Sequence, residues 1–244
     1  FFYFLRAHGC TLSFPSFLSS INQQECDEFA IRSQQLWGKA NEAGVFDLEM
    51  APLEVKGRKG VETVDTDEHP RPETALEKIA KLRPVFKKDG TVTAASASGI
   101  CDGAGTIVLA SEEAVKEHGL TPLARLSSFH VAGCEPTSMG IGPVPAILGA
   151  LEHAGIHSVK DADRVEINEA FAAQFLACAK ELDLDMDKTN VNGGAISIGH
   201  PLGASGSRIT AHLANEFQRA DGNIHIGAAC IGGGQGIAVV LERA

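Results

Sequence analysis

A chain of 244 residues, 44% hydrophobic and 21% charged, can bury one or two full cores and has the make-up of an ordinary soluble globular protein, neither disordered nor membrane-spanning. Its formal net charge of −10 opposes general nucleic-acid binding, which depends on neutralising many phosphates. An anionic ligand would have to be met by a local patch.

Residues 1–20 are rich in aromatics and contain no acid, the first being Glu25. They read as a fragment end or read-through in preference to a transit-like leader. The spacing of Phe29, Ser33, Leu36, Trp37 and Ala40 predicts a helix that stops at Gly44. PLEVKGRKGVETV predicts two short strands around a Gly turn, and HPRPETALEKIAKLRPVF a loop leading into a short helix. From Lys56 to Lys88 nine basic residues stand against six acids, a net of +3. This is either a solvated mixed-charge surface or the local patch an anion needs.

From about Ala97 the elements alternate. SGICDGAGTIVLAS reads as a Gly-rich turn and a buried strand, followed by a helix through Val115 that ends at Gly119. PLARLSSFHVAG is a strand, and GPVPAILGALEHAG a helix with Pro143 in its first turn and Gly155 as its cap. DRVEI is a strand, NEAFAAQFLACAKEL a helix and TNVN a strand. SRITAHLANEFQRA is a helix with Ile209, Leu213 and Phe217 on one face. IHIGAACI and IAVVL, separated by GGGQG, predict a hairpin of central strands. Alternating strands and helices make the fold class α/β.

The six cysteines form no CxxC pair and no zinc-ligand spacing, so they read as reduced thiols. His153 and His157 are four apart, but Gly155 ends the helix between them, and no metal site is expected there. Asn168, His200 and Cys230 fall at junctions of strand and helix or turn, where α/β domains collect reactive groups. Each has a plain structural reading as well: a helix cap, a hydrogen-bonded histidine, a small buried apolar group. Glycine in an element interior costs roughly 0.5–1 kcal/mol relative to alanine, so the glycine runs beside His200 and Cys230 need a reason. Gly232, Gly233 and Gly234 are suited to aim peptide N–H groups at a developing oxyanion. A neutral His200 near a helix N-terminus would keep a lone pair for base catalysis, and Cys230, as a thiol titrating near neutrality, would exchange a proton with carbon. GIGPVP lacks the third Gly of a dinucleotide fingerprint, no GxxxxGK[ST] occurs, and GASG is not a GxSxG elbow.

NEAFAAQ (Asn168 to Gln174), NVNGGAISIGHPLGASGSRI (Asn190 to Ile209) and CIGGGQGIAV (Cys230 to Val239) together resemble the three C-terminal signatures of the thiolases, the acyl-CoA:acetyl-CoA acyltransferases. The segment DEHPRPETALEKIAKLRPVFKKDGTVTAASASG and the run MGIGPVPAI are similar to thiolase segments too, and the likeness runs from about Ile21 to the end. It implies a thiolase fold in which residues 21–100 form part of a CoA-binding loop domain, 101–122 the last strand and helix of the N-terminal domain, and 123–244 the C-terminal layered α-β-α domain, with 1–20 unmatched.

The resemblance also implies roles. His200 would activate the nucleophilic cysteine and help bind the thioester oxygen, with Asn168 holding a water at the same oxyanion site. Cys230 would be the second catalytic cysteine, moving a proton to or from the acetyl group, and the Gly232 N–H would belong to the second oxyanion hole. Ser98, Met139 and Phe171 would line the pantetheine channel, while Arg71, Leu82 and Phe86 would face the nucleotide end of CoA. No cofactor is implied, coenzyme A and acyl-CoA being substrates. The implied reaction is 3-ketoacyl-CoA plus CoA to acyl-CoA plus acetyl-CoA in fatty acid β-oxidation, by a homodimer or homotetramer in the mitochondrial matrix, with no nucleic-acid partner and no membrane span.

One departure matters. The family's acyl-accepting cysteine lies in its N-terminal half among small residues and glycine, and none of Cys10, Cys26, Cys101, Cys134 or Cys178 has that setting. A chain without it is expected to show no thiolysis alone and, with sheet surface uncovered, poor solubility. A non-catalytic CoA-binding or subunit-pairing remnant, and a slow Cys230-dependent acyl-CoA hydrolase, are the alternatives.

Overall fold

The computed structural model describes residues 21–58 and 60–244, so the reading of residues 1–20 lies outside the described residues. Helix α1 (Gln23–Glu42) starts at a reciprocal cap: Glu25 N donates to Asn22 Oδ1 (3.0 Å) and Asn22 N to Glu25 Oε2 (2.8 Å). Its buried stripe is Phe29, Ser33, Trp37 and Ala40, and the chain leaves through Gly44 as the spacing predicts. Phe29 stacks on Phe175 with centroids 4.3 Å apart, which ties α1 to the main core.

Strands β1 (Leu53–Gly57) and β2 (Gly60–Val64) form the expected hairpin, exposed on both faces. Helix α2 (Leu76–Ile79) buries only Ile79. The apolar run Ile107-Val108-Leu109, expected as a buried strand, is neither: Val108 is 84% exposed, and the run has no strand assignment. A strand needs a neighbour to take its ladder hydrogen bonds, and none lies beside this run among the described residues. Helix α3 (Glu112–His118) follows, capped by the Ser111 side chain and closed by Gly119.

Four strands make the central sheet in the order β3–β6–β5–β4. Strand β3 (Arg125–Gly133) pairs antiparallel with β6 (Gln235–Glu242), β6 antiparallel with β5 (Ile224–Ile231), and β5 parallel with β4 (Arg164–Ile167). Helices α4 (Pro143–Ala154) and α5 (Ala172–Leu182) cover one face, where Ile147, Phe175, Ile167, Ile226 and Val240 are buried together. Further on, α6 (Ala195–Ile198) is a single turn, and α7 (Ser205–Arg219) covers the other face with Ile209, Leu213 and Phe217 as expected. Gly227 lets α7 approach: a Cβ there would sit 2.9 Å from Ile209 Cγ2. The result is the layered α-β-α arrangement.

TNVN is not a strand. Thr189 and Val191 make only isolated bridges, and Asn190 stands at φ 45°. Its side chain supplies what a neighbouring strand would: Oδ1 accepts from Ile167 N and Nδ2 donates to Ile167 O, both at 2.9 Å. That side-chain clamp continues at Ile167 the edge pairing that the backbone makes only at Val165, where Val165 N donates to Lys188 O (3.0 Å) and Asn190 N to Val165 O (2.9 Å).

Candidate active site

Because β4 and β5 run parallel, they deliver their C-terminal ends to one edge of the sheet, and β3 ends there too. Asn168 follows β4, with its N–H donating to Ala228 O of β5 at 2.9 Å. Two residues further along β5 comes Cys230, then the turn Gly232–Gly234, in which Gly233 and Gly234 have φ of 91° and 88°. Gly234 O accepts from Cys134 N (2.8 Å), which fastens the turn to the end of β3.

His200 comes to this edge from the loop after α6. Its N–H donates to Gly99 O at 2.7 Å, and its ring contacts side chains through both nitrogens. Nε2 lies 3.4 Å from Asn168 Nδ2, and Nδ1 2.6 Å from Ser205 Oγ in the first turn of α7. Burial, with a smaller contribution from the Arg208 charge, holds the imidazole below its ordinary pKa, so it rests neutral. Asn168 is 1% exposed, and its Oδ1 is buried with no partner. A buried amide oxygen without a donor costs about 1–3 kcal/mol.

Asn168 is not the helix cap that a bare reading of its sequence suggests. Phe171 holds that position, and Asn168 to Ala170 are an extended bend pointing polar groups at the loop of His200. The neighbouring Glu169, fully buried, locks the bend: it accepts from Ser33 Oγ (2.7 Å), Asn190 Nδ2 (2.9 Å) and Ile196 N (3.2 Å). Burial pushes its carboxyl up. The glycines before His200 serve this packing and not a ligand, since a Cβ on Gly194 would fall 2.5 Å from the Glu169 carboxyl carbon. Likewise a Cβ on Gly199, at φ 90°, would meet Cys101 Sγ at 2.6 Å.

Cys230 is half-buried, and its thiol is pushed up to about 11, first by burial and then by Cys134. The expectation of a thiol titrating near neutrality is therefore corrected: the low-dielectric strand end disfavours the thiolate, and Cys230 rests protonated. The other described thiols move the same way, burial pushing Cys26 to about 12 and raising Cys101, Cys134 and Cys178.

His200 opens onto a cavity of about 340 Å³ that Phe171, Phe86, Ser98, Leu202 and His69 also line. Of the residues the sequence nominated for CoA, Phe86, Ser98 and Phe171 border this space, while Arg71, Leu82 and Met139 do not. Arg71 is folded back on its own loop, Nη1 donating to the carbonyls of Glu68 (2.7 Å), His69 (2.9 Å) and Pro70 (2.7 Å). Lys78, Lys81, Arg83, Lys87 and Lys88 are exposed, and no described ion pair engages them. Among the described residues no cluster of His, Cys, Asp or Glu could hold a metal ion, and no helix is long and apolar enough to cross a membrane. Sequence reasoning missed Ser205 and Glu169. A hydroxyl five residues after the histidine and an acid directly after the asparagine were the available signals.

The layered α/β domain thus brings Asn168, His200 and the end of the Cys230 strand to one end of the sheet, with His200 also lining the cavity. The chain belongs to the thiolase family. The profile described as "Thiolase, C-terminal domain" matches residues 120–243, and "Thiolase, N-terminal domain" matches residues 18–113. The chain is 63% identical to the mitochondrial 3-ketoacyl-CoA thiolase of Pongo abelii and 62% identical to that of Homo sapiens, each over 222 residues, 91% of this chain and 56% of the relative. It is similar to the crystal structure of the human mitochondrial 3-ketoacyl-CoA thiolase in complex with CoA, with a TM-score of 0.89 and 60% identity, over 93% of this chain and 56% of that one. The chain thus spans a little over half the length of these relatives.

Proposed function

We propose that this chain carries the acid–base and CoA-holding part of a 3-ketoacyl-CoA thiolase, an acetyl-CoA C-acyltransferase of fatty acid β-oxidation. The observation that carries the reading is the contact of His200, which lines the apolar cavity, with the buried Asn168, at the end of the sheet where Cys230 lies near the end of β5 before the Gly232–Gly234 turn. In thiolysis His200 Nε2 removes the proton of the attacking thiol, and that thiol adds to the C3 carbonyl of the substrate. The C2–C3 bond then breaks, and the electron pair left on C2 takes a proton from the Cys230 thiol to give acetyl-CoA. CoA gives its thiol proton to the Cys230 thiolate, the CoA sulfur displaces the acyl group from the accepting thiol to form acyl-CoA, and the released thiolate takes back the proton held by His200. A water held by Asn168 Oδ1 and the Gly232 N–H are the proposed donors to the two developing oxyanions.

Ser98, Phe86 and Phe171 are the proposed channel for the acyl-pantetheine arm. Met139 and Leu82 are proposed at its margins, and the unpaired lysines of 78–88, with Arg71, near the phosphates. The proposed division is 21–100 as loop domain, 101–122 as the end of the N-terminal domain and 123–244 as C-terminal domain. Assembly as a dimer or tetramer and a matrix location are proposed with it; the relatives' printed names support the organelle, being mitochondrial.

Every described cysteine thiol is pushed up, so the reading assigns none of them as acyl acceptor. The test is calorimetric titration of the purified chain with CoA beside an assay of acetoacetyl-CoA cleavage. Saturable CoA binding that weakens severalfold in the Lys87→Glu/Lys88→Glu double variant, without turnover, is expected. Absence of CoA binding, or turnover near that of a full-length thiolase, contradicts the reading. Hydrolysis through Cys230 is disfavoured, because a thiol near 11 leaves only about one thiolate in ten thousand at pH 7.

A further inference from the structure

Both nitrogens of the His200 ring have partners, and the partners are not equivalent. Ser205 is 4% exposed, and its Oγ sits 2.6 Å from His200 Nδ1 and 3.1 Å from Pro201 O. A carbonyl oxygen can only accept, so Ser205 Oγ is the donor in its contact with Pro201 O. With the hydroxyl proton on that bond the oxygen presents lone pairs to Nδ1, the pairing in which Nδ1 carries the ring proton. In a neutral imidazole that leaves Nε2 bare, toward Asn168 and the cavity.

The loop makes this arrangement local. Pro201 O also accepts the backbone N–H groups of Ala204 and Ser205, 2.8 and 2.9 Å away, so the turn that starts α7 carries the serine and its acceptor together. The helix beyond Ser205 is held in turn: Leu213 O accepts from Nδ1 of the fully buried His225, at 2.9 Å.

We propose that Ser205 is a positioning residue: it fixes His200 as the Nδ1–H tautomer, so that the lone pair used to deprotonate a thiol is always the one facing the substrate. Its catalytic meaning rests on the thiolase reading, but the tautomer itself does not. The assignment also accounts for the two unlike ring contacts, a short one to a hydroxyl that serves as acceptor and a long one to an amide donor.

The experiment is nitrogen-15 NMR of the imidazole groups in the labelled chain, recorded without substrate, for the wild type, Ser205→Ala and Ser205→Thr. His200 in the wild type is expected to show a protonated Nδ1 and an unprotonated Nε2. Ser205→Ala is expected to lower the ratio of Nδ1–H to Nε2–H forms about tenfold, the effect of one buried hydrogen bond. Ser205→Thr, which keeps the hydroxyl, restores it. His225 is the internal control, since its Nδ1–H signal reports that α7 is intact. A wild-type His200 protonated on Nε2 overturns the proposal, as does a Ser205→Ala variant with an intact His225 signal and an unchanged His200 tautomer. If Ser205→Ala disturbs His225, the wild-type tautomer alone decides. Because no substrate is used, failed CoA binding would sink the functional reading and leave this result standing, and the reverse holds equally.

Discussion

The bend Asn168–Phe171 and the segment Leu53–Lys88 are built on opposite terms. In the first, polar side chains are buried and cross-tied: Glu169 gathers donors from α1, from Asn190 and from α6. In the second, the hairpin exposes both faces and Lys78, Lys81, Lys87 and Lys88 stand in solvent. In the proposed function, the groups that would meet a reacting atom are the ones held by the core, and those that would attract a charged ligand at longer range are the ones left free.

The contrast predicts very unequal responses to substitution. Glu169→Ala leaves a hydroxyl, an amide and a peptide N–H buried without an acceptor, and should lower the unfolding free energy by about 3–5 kcal/mol in urea denaturation. A loss below about 1 kcal/mol would mean that the carboxylate is not the tie it looks to be. Asn190→Ala removes both bonds that replace a strand beside Ile167 and one to Glu169, and about 2–3 kcal/mol should be lost by the same measurement. In the open region, Leu53→Ala should change stability by no more than about 0.5 kcal/mol, since Leu53 is 65% exposed.

Acidity sharpens the same comparison. Burial lowers the pKa of both His200 and His225 in the folded chain. As pH falls through the ordinary histidine range, the unfolded chain therefore binds protons that the folded chain refuses, and stability drops. Asp163 and Glu216 are held low by hydrogen bonds and neighbouring cations despite their burial, and extend the loss into the carboxylate range. These four groups lower the urea midpoint as pH falls below about 7.5, against an opposing gain from Glu169, whose raised carboxyl takes up its proton sooner in the folded chain. His225→Phe, which keeps the stack on Phe217 (centroids 3.7 Å apart), should flatten the upper part of that decline. An unchanged slope in that variant would assign the effect elsewhere.

Much of the fold was legible because its signals are local. The stripe and cap of α1, the glycine stops at Gly44, Gly119 and Gly155, and the hairpin around Gly57–Gly60 are fixed by neighbours within a few residues. Misreadings occurred where a distant partner decides. Ile107–Leu109 has strand composition without a strand to pair with, and TNVN yields its edge to one asparagine side chain. At the site, the positions of Asn168, His200 and Cys230 could be nominated from junctions and glycines. The protonated state of Cys230, the inward turn of Arg71 and the bond from His200 to Ser205 depend on burial and on backbone carbonyls that sequence spacing does not expose.

The central claim is that a thioester is received at the edge where β4 and β5 end. A crystal structure of this chain with acetyl-CoA tests it directly. The account predicts the thioester beside the His200 imidazole, with the Cys230 sulfur facing the acetyl methyl carbon. A thioester bound away from this edge, or one that His200 and Cys230 approach from no common side, would contradict it.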